Sequence, residues 1–460
     1  MSVRDSRVLL LHPGSLYGGP WAGSVRLKGA LVGLYSYLRA HGVPVDVLDL
    51  QAEFGNPEPE LVDAFLQHGA ERILSHDFDV LGISCWSSLE YLAAVEFATR
   101  AREARPAARI VVGGYHPSAV PADFTYAGTP FDVVVTGEGE IALLELLRDG
   151  PAGGGSGPAR VVAGSPLPLD RPCFDLDGYP YLKDRPATVT IYLSRGCPYR
   201  CAFCMEGSKK HKGWRHMSVD DALTMVRRAR SYNPSVIVFG DACFGYQDHW
   251  RRDFLEGLID MGIDRPLWAE MRADRITEGD IDLCRKLDLY LQFGVETMSP
   301  RMAEITRKAA DGEKYVRAVD ATLQGVARSG VLANVFLVLN HPGETPATAE
   351  ETVSYFERFV AGHDHLTVIV NAGRYQYFVG SDTAVRHAWY EKTYGARFGH
   401  PDWYRERGPQ FDLAQANKAS DELSDIEPYV ERLKALHPEI IRKMPAAQQL
   451  RFLSHLRQLG

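Results

Sequence analysis

The sequence predicts an α/β protein in two parts. An amino-terminal doubly wound parallel sheet is followed by a partial, TIM-like (β/α)6 barrel and a carboxyl-terminal helical region. Three observations carry this. Short apolar runs alternate with segments of helical periodicity over residues 1–149. A Gly/Pro/Ser-rich stretch then interrupts the pattern, and residues 150–187 read as a linker that ends in a proline-rich run packing over the following domain. The alternation resumes over 188–372 with six strand–helix units, and 373–460 remains as a separate terminal region.

In the first part, residues 7–14 read as a buried strand ending at a Pro-Gly turn, followed by the loop Tyr17-Gly18-Gly19-Pro20. Residues 27–40 have helical apolar spacing and stop at His41-Gly42. Strands follow at 45–48, 80–84, 109–114 and 132–135, with helices at 60–74, 89–104 and up to Leu147. The loops after these strands carry Ser84, Ser88, Gly113, Gly114, His116, Gly137 and Glu138. In a doubly wound sheet such loops share one edge, where ligands bind. Glycines let backbone approach a large flat ligand, and serines offer short hydrogen-bonding groups. Taken singly, His116 before a proline equally suits a turn fixture, and Cys85 and Trp86 suit core. There is no Walker loop and no G-x-G-x-x-G.

The second part opens with the strand Val189-Thr190-Ile191-Tyr192-Leu193-Ser194, turned by Gly196 and Pro198 into Cys197-Pro198-Tyr199-Arg200-Cys201-Ala202-Phe203-Cys204. Further strands are expected at 236–239, 267–272, 289–296, 334–340 and 366–370. Helices are expected at 219–230, 250–261, 278–286, 315–329 and 347–360. The aromatic-rich segment from Gly373 reads chiefly as core, with charged helical sequence after it.

The net charge of −8 gives no electrostatic case for nucleic acid. No apolar run is long enough to span a bilayer, and no secretory apolar region is present. Seven cysteines, an odd number of which only three cluster, fit a reducing cytoplasm.

Three thiols at this spacing suit a metal centre. A 4Fe–4S cluster takes one cysteine per iron, so three would leave one iron open to an exchangeable ligand. Zinc would require a fourth ligand, for which His211 and His216 lie near in sequence. Cys243 and Cys284 read as packing residues.

The C-x-x-x-C-x-x-C loop after a strand resembles that of the radical S-adenosylmethionine (SAM) superfamily. The resemblance implies a 4Fe–4S cluster on Cys197, Cys201 and Cys204, with SAM chelating the open iron. SAM is cleaved reductively to a 5′-deoxyadenosyl radical, which removes a substrate hydrogen. It further implies SAM contacts from Gly240 and Asp241 after the second barrel strand, Glu270 and Arg272 at the third, Glu296 ending the fourth, and Arg307 in the helix beyond. His341-Pro342-Gly343-Glu344-Thr345 is similar to the family's turn after the fifth strand, although Asn340 and His341 replace small residues there. Glu296 could equally be a structural ion-pair partner of Arg272.

The Gly-Ile-Ser, Val-Gly-Gly-x-His and Gly-Glu-Gly-Glu runs of the first part resemble the amino-terminal cobalamin-binding, Rossmann-like domain of one radical SAM branch. The implied cobalamin contacts are the seven loop residues named above. The D-x-H-x-x-G cobalt-ligating motif is absent. Such a protein is expected to carry out cobalamin-dependent C-methylation of a natural-product intermediate, as in antibiotic biosynthesis. It would use a small-molecule substrate and an electron donor such as flavodoxin or a dedicated reductase. The alternative is cobalamin-independent radical dehydration and deoxygenation of an aminoglycoside precursor such as paromamine, completed by a partner reductase.

Overall fold

The computed structural model describes residues 6–17, 27–149, 157–170, 173–182, 188–208 and 213–459. The glycine loop at 18–20, the linker core at 151–156 and His211 lie outside the described residues. The chain divides into two compact units: residues 1–187 with 208–211 and 402–414, and residues 188–207 with 212–401 and 415–460.

In the first unit, strands β1 (Val8–His12), β2 (Val45–Asp49), β3 (Val80–Ser84), β4 (Arg109–Gly113), β5 (Val133–Thr136) and β6 (Arg160–Ala163) form one sheet in the order β2-β1-β3-β4-β5-β6. All neighbours are parallel. Strands β1, β3 and β4 are near-continuous apolar runs because helices cover both faces. The covering helices are α1 (Gly29–Ala40), α2 (Leu50–Phe54), α3 (Val62–Leu74), α4 (Tyr91–Ala104), α5 (Tyr115–Ala119) and α6 (Gly139–Arg148). The strand order reverses between β1 and β3, so their carboxyl-end loops open a crevice at the switch point.

Strand β6 lies in the stretch read from sequence as linker. It pairs with β5 from Val133↔Arg160 to Thr136↔Ala163. The described residues of the proline-rich run belong to the first unit. They lie on α1, where Tyr35 donates to the Asp177 carbonyl at 2.7 Å and Ser36 to the Asp175 carbonyl at 3.0 Å. The reason is local: buried Tyr35 and Ser36 need acceptors, and this run supplies carbonyls that proline-rich backbone leaves unpaired.

In the second unit, β7 (Thr188–Ile191) leads into a short antiparallel pair, β8 (Ser194–Arg195) with β9 (Arg215–His216). Then follow β10 (Val236–Phe239), β11 (Leu267–Arg272), β12 (Leu289–Glu296), β13 (Ala333–Leu339) and β14 (Val368–Arg374). The sheet order β14-β13-β12-β11-β10-β7 is sequential and parallel throughout, which is the winding of a partial barrel. Helices α7 (Val219–Ser231), α8 (Asp248–Asp260), α9 (Glu278–Leu287), α10 (Pro300–Ile305), α11 (Gly312–Ser329) and α12 (Pro346–Ala361) provide the crossovers. Their starts follow sequence rules: Ser218, Thr277, Ser299, Asp311 and Thr345 each cap a first turn with a side-chain oxygen.

Along β12, Leu289, Leu291, Phe293 and Val295 are closed off against the helices. The alternate residues Tyr290, Gln292 and Gly294 share the opposite face, and across an irregularity between Gly294 and Glu296 the Glu296 carboxylate returns to it, 2.6 Å from a Cβ placed at Gly294. No helix among the described residues is long and apolar enough to cross a membrane.

Candidate functional site

The cysteine loop leaves the carboxyl end of the first barrel strands and is fastened at its middle. Ala202 N donates to the Thr306 carbonyl at 2.7 Å, and Thr383 N donates to the Ala202 carbonyl at 3.2 Å. Cys204 N closes a turn onto the Cys201 carbonyl at 3.1 Å. All three cysteines are free thiols and partly exposed. Burial raises the pKa of Cys201 and pushes Cys204 up to about 12. Cys197 is drawn below the usual thiol range, chiefly by a hydrogen bond with Cys243. Cys243, read from sequence as packing, thus touches the cysteine loop from the turn after β10.

Among the described residues no three His, Cys, Asp or Glu side chains converge as ligands of one ion. Zinc asks for such convergence. A 4Fe–4S cluster takes thiolates spaced further apart, because each cysteine binds a separate iron of one cluster. The donor set fits that cluster: three free thiols on one anchored loop, with two cations beside them.

Those cations are Arg272 and Lys308. Arg272 grips Asp274 bidentately, Nε–Oδ1 at 2.9 Å and Nη2–Oδ2 at 3.0 Å. It also donates from Nη2 to the Lys308 carbonyl at 2.7 Å. Its Nη1 lies 3.9 Å from Cys201 Sγ, and its guanidinium sits 3.8 Å from the Tyr199 ring centroid. Tyr199 belongs to the cysteine motif itself, so loop and barrel wall are joined by a cation–π contact. Lys308 Nζ pairs with Glu296 Oε1 at 2.9 Å, both side chains buried. Burial works against the Lys308 charge, but Glu296 and Cys201 together outweigh it, and the ammonium's pKa is raised.

The ion pair considered from sequence, Glu296 with Arg272, is therefore replaced by Glu296–Lys308 and Arg272–Asp274. Arg307 is not in a helix. It sits in the turn between α10 and α11 at φ 55° and pairs with Asp382 at 2.8 Å. That left-handed turn sends Arg307 outward and Lys308 inward. The adjacent Arg307-Lys308 pair was the only sequence signal for Lys308, and the choice between them depends on a backbone angle.

Asp241 is buried at the carboxyl end of β10. Its Oδ1 accepts from both the backbone N and the hydroxyl of Ser194, while Oδ2 has no partner. Burial pushes it up to about 6. It fixes the start of the cysteine loop. Gly240 is required sterically, since a Cβ there would lie 2.5 Å from Thr190 Cγ2. Glu270 is exposed on the interior side of β11. After β13, His341 is fully buried. Its Nδ1 donates to the Pro342 carbonyl at 2.9 Å, and Nε2 has no partner. Glu344, buried behind that loop, accepts from Asn340 N and is pushed up to about 8 by burial.

In the first unit the loops after β3, β4 and β5 knit into one edge. Gly114 has φ 128°, and a Cβ there would meet the Cys85 carbonyl oxygen at 2.2 Å. Ser118 Oγ donates to the Gly114 carbonyl at 2.5 Å and accepts from Gly137 N at 2.9 Å. Glu138 Oε2 accepts from Leu167 N at 2.8 Å. Trp86 stands half exposed at this edge, edge-on to Tyr115. The hydroxyls of Ser15 and Ser88 are buried with no partner. An exposed indole, close glycine backbone and unsatisfied hydroxyls are a lining suited to a large amide-bearing ligand such as cobalamin.

His116 is not at that lining. Its ring is buried, stacked on Tyr91 and edge-on to Tyr404, and Nε2 meets Asp123 Oδ2 at 2.8 Å. Arg405 closes on the other oxygen of Asp123 at 2.5 Å. Sequence reading missed this anchor for residues 402–414, because nothing local links positions 282 residues apart.

Comparison with known proteins agrees with both halves. Residues 30–147 match the model of the B12 binding domain, and residues 191–356 match that of the radical SAM superfamily. These domains imply cobalamin in the first unit, and a 4Fe–4S cluster with SAM in the second. The chain is 25% identical over 326 residues to an uncharacterized methyltransferase of Pyrococcus horikoshii, covering 65% of this chain and 68% of that protein. It is 26% identical over 306 residues to the hopanoid C-3 methylase of Methylococcus capsulatus, covering 62% and 59%. The radical SAM methyltransferase TsrM of Kitasatospora setae, solved with tryptophan and a SAM analogue, has the same fold. Its TM-score is 0.67 at 17% identity, over 99% of this chain and 96% of that one.

Proposed function

We propose that this chain, a radical SAM protein with an amino-terminal B12-binding domain, is a cobalamin-dependent methyltransferase acting on carbon of a small-molecule, natural-product substrate. One observation carries the reading. A barrel with an anchored three-cysteine loop and a B12-binding domain occur in a single chain, and two of the relatives it resembles are methyltransferases by name. When bound, the cluster and SAM supply the reducing electron and the hydrogen-abstracting radical, and the corrinoid supplies a methyl group.

The chain's own residues prepare this. Tyr199 and Arg272 hold the cysteine loop against β11. Arg272 and Lys308 place positive charge beside the thiolates, lowering the cost of gathering negative charge in a buried site. Glu296, paired with Lys308, offers a carboxylate able to grip ribose hydroxyls or the ammonium of SAM. Asp241 orders the loop start through Ser194. The electron would come from flavodoxin or a dedicated reductase.

The test compares wild type with Cys201→Ala after anaerobic reconstitution with iron, sulfide and hydroxocobalamin. Wild type should retain about four irons and near-stoichiometric corrinoid. The variant should lose SAM cleavage and keep its corrinoid. Wild type holding a full cluster but no corrinoid would overturn the proposal. Dehydration of an aminoglycoside precursor draws no support from the relatives named above.

A further inference from the structure

The interior face of the second unit's barrel carries three neutral amide side chains, beside the carboxylate of Glu270, that the cluster chemistry does not use. Gln292 on β12 stands in register with Glu270 on β11 and Asn334 on β13. Asn334 Nδ2 donates to Gln292 Oε1 at 3.1 Å, and Asn371 Nδ2 on β14 donates to Asn334 Oδ1. Three amides on three adjacent strands thus form a relay. Whichever way such a relay is drawn, one end is a donor and the other an acceptor. The Gln292 end is buried, its amide beside the Tyr290 hydroxyl, and the Asn371 end is only partly buried.

Directly beside the relay, Phe336 stands in register with Gly294 on one side and Asn371 on the other. Its chain neighbours Val335 and Leu337 are closed against helices, yet Phe336 is 41% exposed. Its ring is therefore accessible on the face opposite those two side chains. The cations at this level are already matched, Arg272 by Asp274 and Lys308 by Glu296, and Glu270 adds a carboxylate in register with Gln292.

We propose that this wall binds a polyhydroxylated saturated ring, a sugar or cyclitol, as the substrate. A hydroxyl is at once donor and acceptor, and so is each amide. The C–H face of a saturated ring is apolar and suits an exposed aromatic face. An anionic ligand would need an unmatched cation, and a flat heteroaromatic one an apolar slot. The inference rests on the methyltransferase reading for what is done to the ligand, but its binding test is independent of corrinoid.

The experiment is saturation-transfer NMR on the anaerobically reconstituted holoprotein, with methyl α-D-glucoside and myo-inositol as probes and indole-3-carboxamide as competitor class. Transfer to ring C–H protons of a polyol probe is expected. Asn371→Leu and Phe336→Ala should each weaken it about fivefold, the worth of one net contact. Phe336→Tyr should retain it, and SAM affinity by calorimetry should be unchanged in all three. Transfer to neither polyol, transfer to indole-3-carboxamide alone, or transfer unchanged in both weakening variants would each overturn the assignment. If the polyols bind while corrinoid is not retained, the methyltransferase reading fails and this one stands.

Discussion

Lys308→Met is the sharpest perturbation of the barrel mouth, because it removes one charge of a buried pair and keeps most of the stem's volume. The side chains of Lys308 and Glu296 are only 5% and 9% exposed, and their charged atoms lie 2.9 Å apart. At an effective dielectric near 20, two unit charges at that separation attract by roughly 6 kcal/mol. Breaking a buried pair from one side costs ~3–5 kcal/mol, since the remaining charge is left in low dielectric. Urea unfolding of reconstituted protein, followed through the cluster's visible absorbance, should register a loss of that size. Glu296→Gln in the same chain removes the stranded charge, so the double variant should recover at least ~2 kcal/mol of it. A single variant losing less than ~1 kcal/mol, the value of an exposed pair, would refute the reasoning. So would a double variant no better than the single one. With the fold restored, the double variant also isolates the ligand role: if Glu296 grips SAM, calorimetry should find SAM affinity still reduced.

Gly114→Ala should damage the first unit selectively, because its φ of 128° and the 2.2 Å approach of the Cys85 carbonyl leave no room for a Cβ. Corrinoid retention should fall while iron content holds; equal retention in both proteins would contradict the loop geometry. Glu344→Gln should stabilise the protein in a pH-dependent way. The carboxyl's folded-state pKa of about 8 lies above its ordinary 4.5, so the unfolded chain gives up its proton first as pH rises. Wild type then loses stability between pH 4.5 and about 8, and the loss levels off above that, at most ~5 kcal/mol. The variant's thermal midpoint should pull ahead across that window; a gap independent of pH would contradict the cause.

Much of the architecture was legible because buried parallel strands are apolar runs and helix starts carry capping side chains. Val236–Phe239 and Leu289–Glu296 were found at those positions for that reason. β6 escaped notice as a four-residue edge strand beside a glycine-rich stretch, with Val161 48% exposed. The cysteine loop was legible because its ligand spacing is local. The cations beside it were not, since whether Arg307 or Lys308 turns inward is decided by one left-handed residue. The Asp123–Arg405 contact depends on the chain's return and leaves no mark in either segment.

The central claim is that this chain moves a methyl group from SAM to carbon of its substrate with both cofactors in place. The most direct measurement supplies reconstituted enzyme, a strong reductant and SAM bearing a deuterated methyl group to a metabolite extract from cells lacking the protein. Products are then followed by mass spectrometry beside 5′-deoxyadenosine. The account expects 5′-deoxyadenosine together with one new species carrying the deuterated methyl group, and no methylated species without corrinoid. Formation of 5′-deoxyadenosine with an altered metabolite that has gained no methyl label would contradict it.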